Sequence, residues 1–296
     1  MPELPDVTVY VEALERRCIG QKLTGIRFAS PFVLRTVDPP VAELVGREVI
    51  AVRRMAKRIV LELTEARFVV IHLMVAGRFQ WQPSPGAKIP GRVGAAALDF
   101  TAGTLILTEA SKKKRASIHL ARGEEALAAF SRGGIEPLGA DLETFRDALT
   151  RERHTLKRAL TDQRLISGIG NAYSDEILHR AKLSPMKRSD QLSDEELHTL
   201  HEATQVVLTE WIARLRAEAG DGFPEKVTAF REEMAVHGKY KQPCPVCGAP
   251  VQRIVYAENE ANYCARCQTE GRLLADRSLS RLLKKSWPKT LDELEG

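Results

Sequence analysis

Four cysteines fall in two pairs, Cys244/Cys247 and Cys264/Cys267, within CPVCGAPVQRIVYAENEANYCARC, a C-x2-C-x16-C-x2-C spacing. Each pair lets two thiolates reach one ion, and the segment between them can fold as a hairpin that brings the pairs together. Four thiolates close a tetrahedral site with no open position for chemistry, so one structural zinc ion is the expected occupant. Two redox CxxC motifs are the competing reading, and the zinc-ribbon spacing speaks against it. The second signal is RLISGIGNAYSDEIL, residues 164–178, where Gly168 and Gly170 precede a helix that opens at Asn171. Backbone N–H groups there can approach an anion, and Asn171 can cap the helix or donate to a phosphate oxygen. An ordinary helical hairpin with an Asn cap has the same appearance. The third signal is the start of the chain. A small Pro2 after Met1 favours removal of the methionine, which would give Pro2 a free secondary amine beside the carboxyl of Glu3. An α-amine titrates near ~8, far below a lysine, so much of it is nucleophilic at neutral pH. A retained Met1 would lock that nitrogen in a peptide bond. The same residues also serve as a plain lead-in to a helix.

These residues need elements to position them. Val7, Tyr10, Val11, Leu14 and Cys18 recur at helical spacing with Pro5 just before them, which predicts an amphipathic helix over 6–20 with Cys18 in the core. From about 22 to 122 the period falls to 2, in REVIAVRRM, RIVLELT, ARFVVIHLMVAGRFQW, AAALDF, TLILTEA and ASIHLA. Several such runs separated by turn residues predict a β-sandwich or barrel. After Pro137 the spacing is helical in DLETFRDALTR, HTLKRALTDQ, NAYSDEILHRAK and a long segment opened by the capping box SDEE at 193–196. The expected organisation is α+β and multidomain. It comprises a sandwich with an N-terminal helix over 1–130, a helical domain over 131–236, a cysteine module over 237–272 and an extension over 273–296, read as a short basic helix with a frayed tail.

Composition sets the class. With 296 residues, 44% hydrophobic and 28% charged, the chain is ordinary globular protein. No apolar run reaches the ~18 residues that span a bilayer, and MPELPDV lacks the basic and apolar regions of a signal peptide. The net charge of +5 fits a nucleic-acid partner without proving one.

Together the motifs resemble one family. PELPDV, RRMAKRIVLEL with Lys57, HLMVAGRF with His72, GGIEPLG, GIGNAYSDEIL and VHGKYKQPCPVCG, running into the four-cysteine finger, occur in the order of the formamidopyrimidine-DNA glycosylase/endonuclease VIII family. The resemblance covers roughly residues 2–270. It implies a base-excision repair glycosylase with AP lyase activity, a helix-two-turn-helix domain, one structural zinc, and damaged double-stranded DNA as partner, with single strands as a second form. It implies a monomer working in the cytoplasm, nucleoid-associated in a bacterium. It further implies Pro2 as the nucleophile at the sugar, Glu3 as the carboxylate that moves protons there, and a base flipped into a pocket between sandwich and helical domain. Lys57 matches a phosphate-binding lysine and Asn171 a phosphate-clamping asparagine; His72 and Lys157 lie in matching backbone-contact segments.

The chain departs from the family in ways that bear on lesion choice. HLGMSG has become HLMVAG, so the methionine that fills the void left by the flipped base arrives one position early, as Met74, with Val75 at the aligned position. We expect HLMVAGRF to form a strand turning at Ala76–Gly77, with Met74 toward DNA and Val75 packed; a plain core role for Met74 is the alternative. The Arg-x-Phe wedge is missing from EASKKKRASIH, where Lys112, Lys113, Lys114 and Arg115 either hold phosphates or form a solvated basic turn. Asn259 stands where the family's finger has an arginine, the loop over 220–236 is short, and about 25 residues follow the finger. These changes fit a diverged branch with its own lesion preference, not an 8-oxoguanine enzyme. The competing function is a paralogue that binds damaged or branched DNA with little excision.

Overall fold

The computed structural model describes residues 1–225, 227–228, 231–256, 259–275 and 288–295. Contacts divide the chain into two compact units, Met1–Arg132 with Trp211–Thr228, and Gly133–Glu210 with Ala229–Gly296.

The first unit opens with helix α1, Leu4–Cys18. Pro5 lies in its first turn, where a missing N–H costs nothing, and Glu3 and Asp6 form a reciprocal capping box, the Glu3 N–H donating to Asp6 Oδ2 at 3.0 Å. Val7, Tyr10, Val11, Leu14 and Cys18 all enter the main core, as their spacing predicts. Cys18 is fully buried, and burial pushes its thiol up to about 12, which makes it an inert core residue. Eight strands follow: β1 Leu23–Phe28, β2 Val49–Met55, β3 Arg58–Leu63, β4 Arg67–His72, β5 Gly77–Gln82, β6 Gly94–Phe100, β7 Gly103–Glu109 and β8 Ser117–Arg122. They form two four-stranded sheets, ordered β1-β6-β7-β5 and β2-β3-β4-β8, whose facing side chains share that core with α1. The unit is therefore a β-sandwich with a helix against it. β1 was not among the runs picked out by alternation: it spans LTGIRF, with one fully buried residue and a glycine.

The register gathers the turns that matter. Arg58 pairs with His72 and His72 with Ser117, while Gly77 pairs with Glu109. The β2–β3 turn at Ala56–Lys57, the β4–β5 turn and the β7–β8 loop therefore lie at one end of the sandwich.

In the second unit α3 Leu142–Thr150, α4 Leu156–Thr161, α5 Asn171–Arg180 and most of α6 Asp194–Ala219 form the helical part, following the short α2 Gly123–Ala128 of the first unit. Both halves of the SDEE capping box are made at the start of α6: Ser193 N–H donates to Glu196 Oε2 at 2.9 Å, and Glu196 N–H to Ser193 Oγ at 3.2 Å. The hairpin β9 Gln252–Tyr256 and β10 Asn259–Tyr263 and the short α7 Ala265–Thr269 carry the cysteines. The basic part of the extension, 276–287, lies outside the described residues. Its end is not a frayed tail. A short helix, Leu291–Glu295, packs on the finger, with Leu291 2% exposed in the finger's core. Leu273 N–H donates to Lys289 O at 2.7 Å and Leu291 N–H to Gly271 O at 2.9 Å, so the returning chain completes a small core that the hairpin alone would leave open.

Candidate nucleic-acid and catalytic site

The N-terminal end of α1 sits at the end of the sandwich where the three turns meet. Pro2 and Glu3 are buried, Glu3 at 2% exposure. The terminal amine, which Met1 carries here, is held below the ordinary α-amine value, chiefly by burial. Four charges act on it as well: Arg78 and Lys57 push it further down, while Glu3 and Asp6 pull it up. Lys57 occupies the two-residue β2–β3 turn behind Ala56, whose φ of 54° gives the hairpin its left-handed corner, and is 7% exposed. His72 ends β4. Burial, then Arg58, Lys57, Arg132 and His119, push its imidazole down to about 3, so it is neutral at physiological pH. A phosphate contact from His72 would be a hydrogen bond without a counter-charge.

The turn between β4 and β5 differs from the expectation. HLMVAGRF is not a strand that reaches Ala76. β4 ends at His72, and residues 73–76 form a tight turn closed by Gly77 N–H donating to Leu73 O at 2.8 Å. A Cβ on Gly77 would stand 2.2 Å from Leu73 O, so glycine is what permits the closure. Met74 lies in the left-handed region, φ 52°, and Val75 beside it is 59% exposed. Strand alternation therefore does not decide which of the two points outward, since both sit in the turn. Met74 is half-buried rather than core. A non-glycine residue in this conformation costs about 1–2 kcal/mol, a cost that recurs at ligand-contacting turns.

The β7–β8 loop is ordered by a residue the sequence reading passed over. Glu109, 3% exposed, accepts from Arg115 N–H at 2.8 Å and Ala116 N–H at 3.0 Å, and the Lys114 ammonium donates to the Glu109 carbonyl. Lys112 and Lys113 remain exposed at the tip. Arg78 was passed over too. It lies inside HLMVAGRF, where the sequence singles out His72, Met74 and Val75, and its link to the amine appears once β5 brings it back to the N-terminus.

In the second unit the GIGN turn precedes α5 in the way the glycines suggest. Gly168 has φ 81°. The Gln163 amide staples the loop, accepting from Gly168 N–H at 2.9 Å and donating to Ile169 O at 2.7 Å. Asn171 is the first residue of α5 and is half-buried. Lys157 is 4% exposed, with its Nζ 2.6 Å from both Asn171 O and Asp175 Oδ1. Its ammonium thus braces the start of α5 from within. Asp175 also meets His237 Nδ1 at 2.8 Å and Asn262 Nδ2 at 3.3 Å, and Glu176 accepts the N–H groups of Ala235, Val236 and His237 at 2.8–3.0 Å. Two consecutive buried carboxylates of α5 therefore fasten the segment leading to the finger.

The thiols of Cys244, Cys247, Cys264 and Cys267 lie within 4.8 Å of one another. The Cys244–Cys267 and Cys247–Cys264 sulfurs are 3.9 and 3.3 Å apart. Tetrahedral zinc with bonds of about 2.3 Å separates its sulfurs by roughly 3.8 Å, so the four residues fit one structural zinc ion. A second group, Glu152, His154 and Asp162, is occupied by Arg164, which reaches Glu152 at 3.1 Å and Asp162 at 2.6 Å. It reads as an ion-pair network. The side chain of Asn259 lies outside the described residues. Among the described residues no helix is long and apolar enough to cross a membrane.

Three family models match the chain in succession: the formamidopyrimidine-DNA glycosylase N-terminal domain over residues 1–125, its H2TH domain over 134–219, and a zinc finger found in FPG and IleRS over 241–269. The formamidopyrimidine-DNA glycosylase of Heliobacterium modesticaldum is 32% identical over 285 residues, covering 90% of this chain and all of the relative. A formamidopyrimidine-DNA glycosylase-like protein of Mycobacterium tuberculosis is 41% identical over 151 residues, 51% of this chain and 94% of that protein. Among solved structures, a complex of the Lactococcus lactis Fpg with abasic-site DNA superposes with a TM-score of 0.79 at 26% identity, over 90% of this chain and 99% of the other.

Proposed function

The chain belongs to the formamidopyrimidine-DNA glycosylase family, and on that premise we propose how its residues divide the work. It is a base-excision repair glycosylase with AP lyase activity that acts on damaged double-stranded DNA. With Met1 removed, Pro2 is the nucleophile. Its nitrogen lone pair adds to the sugar C1′, the glycosidic bond breaks, and its electron pair leaves with the base, which takes up a proton. Opening of the sugar, with protonation of the ring oxygen, leaves an iminium between C1′ and the proline nitrogen. That iminium acidifies the C2′ proton; its loss expels the 3′ phosphate by cleavage of the C3′–O bond. Glu3, buried beside Pro2 in the chain, moves protons at the sugar. Lys57 and Asn171 hold phosphates, His72 adds a neutral hydrogen bond, and Lys157 acts through Asn171, which it braces. Met74, at the turn tip, fills the space the flipped base leaves; a flexible thioether suits that role.

One observation carries this reading: Pro2 and Glu3 are buried at the end of the sandwich where burial, with Arg78 and Lys57, depresses the amine of Met1, so a Pro2 amine freed by loss of Met1 would enter the same surroundings. An unprotonated amine is what an imine-forming nucleophile requires. With no Arg-x-Phe in the β7–β8 loop, the lesion preference is that of a diverged branch, not of an 8-oxoguanine enzyme. The work takes place in the cytoplasm, on the nucleoid in a bacterium, where DNA is found and zinc thiolates stay reduced. Glu3→Gln tests the division. It should abolish excision of a damaged base from duplex oligonucleotides while sparing much of the nicking at a preformed abasic site, where no glycosidic bond remains to break. Equal loss on both substrates would remove Glu3 from the proposed role, and a panel of lesions scored by nicking identifies the preferred base.

A further inference from the structure

The finger is tied to α5 by a contact that the zinc ligands alone do not account for. His179, one residue before the end of α5 and 6% exposed, places Nε2 3.2 Å from Cys244 Sγ. A zinc-bound thiolate carries no proton and can only accept. The hydrogen must therefore be on the imidazole, with Nε2–H donating to sulfur. Such a bond draws charge off one of four thiolates crowded around a divalent ion, in a place where Cys244 itself is 3% exposed and water gives little help. A second tie lies close by. The Gln268 side chain accepts Cys264 N–H at 2.8 Å and donates to Leu183 O at 2.9 Å, just past the end of α5. Asn171, at the other end of the same helix, is eight residues from His179, about 12 Å along a rigid rod.

We propose that His179 is an outer-sphere positioning residue of the zinc centre: it holds the Cys244 thiolate and fixes the metal site to the helix that starts with Asn171. The proposal rests on the four cysteines holding zinc. The test uses the zinc-loaded full chain with His179→Phe, which removes the donor at similar volume, and His179→Gln, which keeps an N–H donor. Transfer of zinc to a chromogenic chelator should be about 10-fold faster in the Phe variant, the usual cost of losing an outer-shell partner. The thiolate-to-metal charge-transfer band of the cobalt-substituted protein should shift in that variant, and the Gln variant should recover most of both effects. In cadmium-loaded wild-type protein the imidazole Nε2–H should exchange slowly with solvent, a readout that needs no variant to fold. Wild-type transfer rate and an unshifted band in the Phe variant, a Gln variant as impaired as Phe, or a fast-exchanging imidazole proton would each overturn the role. Wild-type protein purified without chelator and free of zinc would overturn it too, by removing the zinc reading beneath it.

Discussion

At the residue scale the chemistry turns on one nitrogen and the charges around it. An amine attacks only as the free base, so its activity is lost as pH falls through its pKa. Burial holds the terminal amine of Met1 below its ordinary value, and an amine on Pro2 in the same surroundings should stay active to lower pH than a free α-amine would. Arg78 adds to the depression because a nearby cation disfavours the ammonium form. Removing that cation must raise the pKa, so in Arg78→Met the acid limb of the rate of covalent trapping on abasic DNA should move to higher pH, by up to about one unit. A limb that stays put or moves lower would detach Arg78 from the nucleophile. Lys57 and Asn171 differ in charge, and salt distinguishes them. Lys57→Ala should lower the slope of log binding constant against log salt by about 0.9, one counterion's worth, whereas Asn171→Ala should weaken binding with the slope nearly unchanged. Equal changes in slope would refute that division.

At the scale of elements the decisive piece is the turn after β4. Period-2 alternation located β2, β3, β4 and β6 to β8 because each buries an apolar face. It failed at HLMVAGRF because an apolar run looks the same whether the chain continues or doubles back. The closure depends on Gly77 approaching Leu73 O, a contact between backbone atoms that side-chain periodicity does not encode. The cysteine spacing, the glycines before Asn171 and the capping box SDEE at 193–196 were legible because each is a local arrangement. Arg78 and His179 were not, since their partners lie far away in sequence and only the fold unites them, and Glu109 was not because it holds a nearby loop through backbone N–H groups, which residue types do not encode. Met74, lifted into a strained turn at the same end as Lys57, gives a prediction at this scale. Met74→Ala should slow excision from a paired duplex, where opening the stack costs a few kcal/mol, and barely change cleavage of an abasic site in a single strand. Parallel loss on both substrates, with a lowered melting temperature, would mark it as packing and move the wedge to Val75 or to the lysines at 112–114.

At the scale of the molecule, one unit carries the amine, Lys57, His72 and Met74, and the other carries Asn171, its Lys157 brace and the zinc finger. α5 organises the second unit, with Asn171 at its start, two carboxylates fastening the approach to the finger along its length and His179 against a zinc ligand at its end. Membership of the family explains why this set of parts occurs in this order. The missing aromatic wedge and the shifted methionine are the proposed source of a lesion preference of this chain's own and leave the attack on the sugar as it is, while the helix at 291–295 closes the core of the finger. The central claim is that this is an imine-forming lyase and not a protein that only grips damaged DNA. Borohydride reduction during incubation with abasic duplex tests it most directly. The account predicts a covalent protein–DNA adduct, mapped by mass spectrometry to an N-terminal Pro2, and no adduct from Pro2→Gly even where that variant still binds the duplex. Tight binding by the wild-type chain with no adduct, or an adduct on a lysine side chain, would contradict it.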